Sequence, residues 1–258
     1  MNLKHKEQQN RNIKMIRFLK NSSLYSIIQK AVIFIFGQRE RLAKRYISGK
    51  GLEIGALNYP LNVSTQKAKI TYIDRENNNF LRKHYPELDS QKFVKIGIVD
   101  DGEKLKKVKN NSQDFVIANH FIEHCEDPIT TLINHLRVLK NRGVVFWAVP
   151  NKNRTFDRKR PKTTLSHLWR DYKVGPKISR KRHYEEWVEY VLGTPDQKIQ
   201  KEALKLMKEK YSIHFHVWTP DSFRLFLNFA RKKLKLRFKI EEFVVNLNEF
   251  IVIIRKND

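Results

Sequence analysis

A chain of 258 residues, 40% of them hydrophobic, is long enough for one ordinary domain with an addition, and rich enough to bury a core. Its single cysteine, Cys125, excludes a disulfide framework and a cysteine-rich zinc site, and its longest apolar runs are too short to span a bilayer. The net charge of +25 is concentrated in two blocks, residues 1–50 and 151–183, each with 12 Lys and Arg against two acids. Such blocks suit an anionic partner, or else record a Lys- and Asn-rich composition with a solvated basic surface. The start is polar and basic without an early apolar core, so a soluble cytoplasmic protein is expected.

Residues 1–22 read as a basic arm. From Ser23 to Ile47 the pattern is helical, with Leu24, Ile27, Ile28, Ala31 and Ile35 at three- and four-residue spacing and a break at Gly37. This helix is expected to pack on a sheet edge or cover a ligand; its basic flanks leave contact with a membrane surface as the alternative. The core then begins at Gly51-Leu52-Glu53-Ile54-Gly55-Ala56-Leu57. A buried strand ends at Ile54, Gly55 permits a tight turn that a ligand can approach closely, and a helix is expected between that turn and the next strand. Asp74 closes the next apolar run, Ile70 to Asp74, 19 residues beyond Gly55. Folds that bind adenosine cofactors place a ribose-binding carboxylate at about that offset, roughly 20 residues. Ala56, Leu57 and Asn58 stand where further glycines would cradle a pyrophosphate, which disfavours NAD and FAD.

Phe93 to Val99 reads as a third strand ending in Asp100-Asp101-Gly102, which is either a ligand-facing acidic end or an ordinary Asp-Gly turn. Phe115 to Ala118 is a fourth strand, opening into Asn119-His120-Phe121-Ile122-Glu123-His124. Asp127 caps and Pro128 starts a helix over Ile129–Lys140, ended by Asn141-Arg142-Gly143, and Val144–Val149 is a fifth strand. Residues 151–210 are basic and aromatic, with Trp169, Tyr172, Tyr184, Trp187 and Tyr190, and are expected to form a helical cap that also walls the substrate. Tyr211 to Trp218 alternates like a strand, placing His214 and His216 on one side. With His183 or Glu185 these could ligate a metal, but the spacing is not tight and no metal is assigned; hydrogen-bonded histidines or substrate contacts are preferred. Thr219 caps a helix that runs on from Ser222 to Lys233, and Phe238–Val245 with Glu249–Arg255 forms a closing hairpin.

Leu52-Glu53-Ile54-Gly55, Tyr72-Ile73-Asp74 and the run Asp114–His124 into Leu139–Gly143 resemble class I S-adenosylmethionine-dependent methyltransferases. The likeness covers residues 51–150 directly. Thr155–Arg158, Leu165–Leu168 and His214–Pro220 are similar to a bacterial subgroup whose substrates are unassigned. The resemblance implies an α/β Rossmann-like sheet, mostly parallel, with a C-terminal antiparallel hairpin, an N-terminal helix and a cap insertion. Its expected parts are 1–50, 51–150, 151–210 and 211–258. It implies S-adenosyl-L-methionine as cofactor, with Glu53 and Gly55 along the methionine portion, Asp74 at the ribose, and Ala56 and Arg75 beside them as further cofactor-binding residues. Asp100 or Asp101 is placed at the adenine amino group, and Asn119 and His120 at the methyl-transfer crevice. The missing Asn-Pro-Pro-aromatic sequence argues against adenine-N6 chemistry. If the acceptor is a hydroxyl, a neutral histidine suits the proton removal. His120 and His124 lie on the appropriate loop, while His167, His183, His214 and His216 come from the cap and the late strand. The expected acceptor is a small hydroxylated molecule or glycan, with RNA held by the basic segments as the alternative and a non-catalytic binding protein as the second.

Overall fold

The computed structural model describes residues 37–84 and 92–258. The basic arm and the first part of the predicted N-terminal helix therefore lie outside the described residues. That helix's last part is present as α1 (Gln38–Tyr46), directly after Gly37.

The described residues build one seven-stranded sheet in the order β3-β2-β1-β4-β5-β7-β6. Its strands are β1 (Gly49–Ile54), β2 (Ala68–Asp74), β3 (Ile96–Val99), β4 (Gln113–Asn119), β5 (Leu139–Pro150), β6 (Phe238–Asn246) and β7 (Glu249–Lys256). The first five are parallel, and β7 runs antiparallel to both β5 and β6. Between them lie α2 (Asn78–His84), α3 (Pro128–Val138), α4 (Leu165–Val174), α5 (Lys177–Tyr190), α6 (Asp196–Lys208) and α7 (Pro220–Lys233). No helix of the described residues is long and apolar enough to cross a membrane.

Alternation along β5 explains how the sheet is covered on both sides. Val145, Trp147 and Val149 point into a core with α3 and α7, whereas Val144, Phe146 and Ala148 meet Leu42 and Ala43 of α1 on the other face. Gly51 is required where β1 meets β4, because a Cβ there would come within 2.3 Å of the Phe115 carbonyl oxygen. Residues 165–208 form helices rather than a loop. Tyr184, Trp187 and Val188 of α5 close on Ala203 and Leu206 of α6 and on Ile213, giving this insertion a small core of its own.

The helix expected between Gly55 and the second strand does not form: residues 55–67 are turns and irregular chain, in which Pro60 has no N–H to give and Leu61 N is held by Glu53 Oε1. Three further stretches differ from the sequence reading. The third strand begins at Ile96, not Phe93. The helix expected to reach Lys140 stops at Val138, and β5 starts at Leu139, because Gln113 of β4 already pairs there. Residues 211–217 are not a strand: Trp218 makes a single bridge to Asn151, and the backbone before it bonds elsewhere. Phe215 N and His216 N both donate to the Glu123 carbonyl, while the Arg160 guanidinium takes the His214 carbonyl at 2.7 Å.

Candidate active site

Parallel strands set all their C-terminal ends on one side of a sheet, and the cavity of interest opens there, over β1 and β4. It is about 290 Å³ and is lined by Arg39, Glu53–Tyr59, Asn119 and His120. Gly55 sits at φ +67°, a conformation that costs most residues a steric clash, and this turns the chain sharply out of β1. Leu57 and His120 also adopt left-handed φ, at 48° and 49°, so both walls of the cavity hold sparsely populated backbone.

Glu53 is buried at the cavity floor. Its Oε1 accepts from Leu61 N at 2.7 Å, while Oε2 has no hydrogen-bond partner among the described residues. Burial pushes its carboxyl up to about 7, against the opposing pull of the Leu61 N–H and the Arg39 charge. Asn119 is arranged the same way: Oδ1 accepts from Ala148 N at 3.2 Å, and the buried Nδ2 donates to nothing described. One idle acceptor and one idle donor thus belong to residues of the same cavity.

His120 stands at the rim, its ring 40% exposed, with Nε2 2.8 Å from Glu249 Oε2 and Nδ1 3.7 Å from Glu123 Oε1. Glu249 opens β7 and is held from three sides, by His120, by Nε and Nη2 of Arg39 and by Asn246 Nδ2. Burial acts to raise its carboxyl, and the bonds from His120 and Arg39 outweigh it, leaving it at about 2. Glu123 is different. Both its oxygens are buried without a hydrogen-bond partner among the described residues, and burial raises its pKa.

Among the remaining residues anticipated for the cofactor, Asp74 ends β2 beside β1, outside the cavity lining, with burial raising its pKa. Arg75 follows it on the surface. Asp100 spends both oxygens locally, on Asp101 N and Lys107 N, and Asp101 accepts from Glu103 N and Lys104 Nζ. Of the six histidines considered for catalysis, only His120 lines the cavity. His124 is bonded to the Ile213 carbonyl, and burial pushes it down to about 3. His167 and His216 meet each other in the cap, far along the chain from β4. His214 is bound to Asp157 Oδ2 at 2.6 Å, away from His216's partners. Arg39 and Glu249 were not anticipated.

Residues 48–147 match the family described as methyltransferase domain. Those residues are similar to a methyltransferase domain, and the sheet they help to build has the Rossmann-like arrangement of class I S-adenosylmethionine-dependent methyltransferases. Among solved structures, a provisionally assigned S-adenosylmethionine-dependent methyltransferase from Listeria monocytogenes aligns at a TM-score of 0.51 and 9% identity, over 87% of this chain and 97% of that one. The PH0226 protein from Pyrococcus horikoshii OT3 aligns at 0.49 and 18% identity, over 92% of this chain and 93% of that one. At such identities the likeness is one of fold. No curated protein matches the chain by sequence.

S-adenosylmethionine is the cofactor of this methyltransferase class. The residues over β1 and β4 fit its amino-acid end. An ammonium needs a buried acceptor and a carboxylate needs a donor, and Glu53 Oε2 and Asn119 Nδ2 are the orphaned atoms available for them. The sharp exit at Gly55 clears backbone from the strand end, as this class of ligand requires.

Proposed function

We propose that the methyltransferase domain methylates a hydroxyl of a small acceptor, a sugar or glycan in size, with His120 as general base. The observation that carries this reading is the His120–Glu249 pair at the rim of the cofactor cavity. When bound, the cofactor supplies an electrophilic methyl group on a sulfonium. Everything else falls to the chain. Glu53 and Asn119 hold the cofactor's polar end, and Asn119 and His120 border the crevice in which the acceptor must align. A neutral His120 whose Nε2–H donates to Glu249 keeps a lone pair on Nδ1. It can take the acceptor's proton there while the ionised Glu249 stabilises the resulting imidazolium. Asp74 is assigned to the ribose hydroxyls, and Asp100 or Asp101 to the adenine.

A second reading, RNA methylation, has the basic residues of 151–183 behind it as phosphate contacts. One assay separates the readings: the full chain is offered labelled S-adenosylmethionine with glycans, small hydroxylated metabolites and RNA at several salt concentrations. The expected result is turnover on a hydroxylated small molecule, with His120→Ala lowering kcat by about 10²–10⁴-fold and cofactor affinity changing far less. Robust methylation of RNA with the small molecules inert overturns the first reading, and no turnover on any class leaves a binding protein.

A further inference from the structure

The cap holds a second cluster that methyl transfer does not use. His167 and Asp171 lie one turn apart on α4, His183 comes from α5, and His216 comes from the segment leading to α7. One donor atom from each falls within 4.8 Å of the others. His167 Nε2 is 3.0 Å from His183 Nε2 and 3.1 Å from Asp171 Oδ2, and His183 Nε2 is 3.9 Å from the same oxygen. Four donors at about 2.0–2.1 Å around a tetrahedral zinc ion stand roughly 3.3 Å from one another. The separations among His167, Asp171 and His183 bracket that value, and His216 offers a donor within 4.8 Å of them.

Hydrogen bonding alone leaves this cluster unsatisfied. Asp171 Oδ2 and His216 Nδ1, both atoms an ion here would take, are buried without a hydrogen-bond partner among the described residues. The outer contacts are those of a ligand set. Ser179 Oγ donates to Asp171 Oδ1, which orients the carboxylate and leaves Oδ2 facing the histidines. His216 Nε2 lies 3.3 Å from the Glu126 carbonyl, and a ring that donates there carries its lone pair on Nδ1. Arg170 Nη2 borders the cluster, 3.2 Å from His167 Nδ1 and 3.3 Å from Ser179 Oγ. Metal binding at Nε2 requires a proton on that Nδ1, so the guanidinium must turn away to Ser179.

We propose that His167, Asp171, His183 and His216 bind one Zn²⁺ ion as a closed, four-ligand structural site. Three imidazoles and a carboxylate suit zinc, and four protein donors leave no open position for a substrate. The ion would fasten α4 and α5 to the 211–218 segment, whose Phe215 and His216 amides already bond the Glu123 carbonyl in the turn after β4. The cap would then be pinned beside the methyl-transfer crevice. This inference stands independently of the acceptor.

The test uses the full chain, purified without metal-affinity steps. Elemental analysis should find about one zinc per chain. After chelation, adding Zn²⁺ should raise the melting temperature, and Co²⁺ should give the intense visible absorption of a tetrahedral site with nitrogen and oxygen donors. Asp171→Asn and His183→Ala should each lose most of the bound zinc. If both variants fail to fold, the Co²⁺ spectrum of the wild-type chain decides. A wild-type chain that neither holds zinc nor gains stability from it, or variants that keep a full equivalent, would refute the site.

Discussion

Glu53 combines an engaged oxygen with an idle one, and burial alone has moved its carboxyl to about 7. Pairing with the cofactor's ammonium favours the ionised form, so binding lowers that pKa. Below about 7 the free protein must release a proton to bind, and cofactor affinity should fall by up to about tenfold per pH unit as pH drops. Glu53→Gln should weaken binding by roughly tenfold or more and flatten this dependence, measured by calorimetry at several pH values. A wild-type affinity independent of pH would contradict the role. Glu53, Gly55 and Asn119 were legible because strand ends announce themselves through glycines and polar breaks. The partner of His120 was not: Glu249 stands 129 residues away and opens an apolar strand like any exposed acid would. The histidines of the cap were legible as candidates, but alternation in 211–218 suggested one shared face. The fold instead sends His214 to Asp157 and His216 to Asp171 and His183.

Among the elements, α7 shows local chemistry deciding structure. Thr219 and Ser222 form a reciprocal capping box, and Pro220 occupies the first turn, where its missing N–H costs nothing. Thr219→Ala should lower global stability by about 1 kcal/mol, read from urea unfolding, with an unchanged m-value. Asp127 does the same for α3, accepting from Thr130 N at 3.0 Å. Caps of this kind are written in four consecutive residues and were read correctly. The start of β5 was not, since Lys140, Asn141 and Arg142 are exposed and look like a helix end followed by a turn. Their strand geometry comes from the neighbouring strands, a long-range cause that no local window contains. The 211–217 segment fails in the opposite direction. It has strand-like composition, but Arg160 and Glu123 take the backbone groups that a ladder would need.

At the scale of the molecule, five parallel strands followed from successive apolar runs closed by glycines or polar breaks and from the right-handed crossover of parallel pairs, although helices separate only β2 from β3 and β4 from β5. The closing hairpin was equally clear, but a hairpin does not state which of its arms faces the rest of the sheet. Here β7 enters between β5 and β6. That order has a consequence for synthesis. When β6 leaves the ribosome, the slot beside β5 is still empty, and Val144 to Pro150 present a row of unpaired amides and carbonyls in a strongly apolar strand. Such an edge is a template for any other extended chain, so the nascent protein passes through a sticky stage that ends only when Glu249 to Arg255 pair with it. A chain stopped before Glu249 should therefore accumulate in the pellet on sedimentation, and a soluble monomeric truncation would argue that β6 or α7 shields the edge. Because Glu249 also carries the contacts to Arg39 and His120, the strand that seals the sheet delivers the partner of the proposed base in the same event.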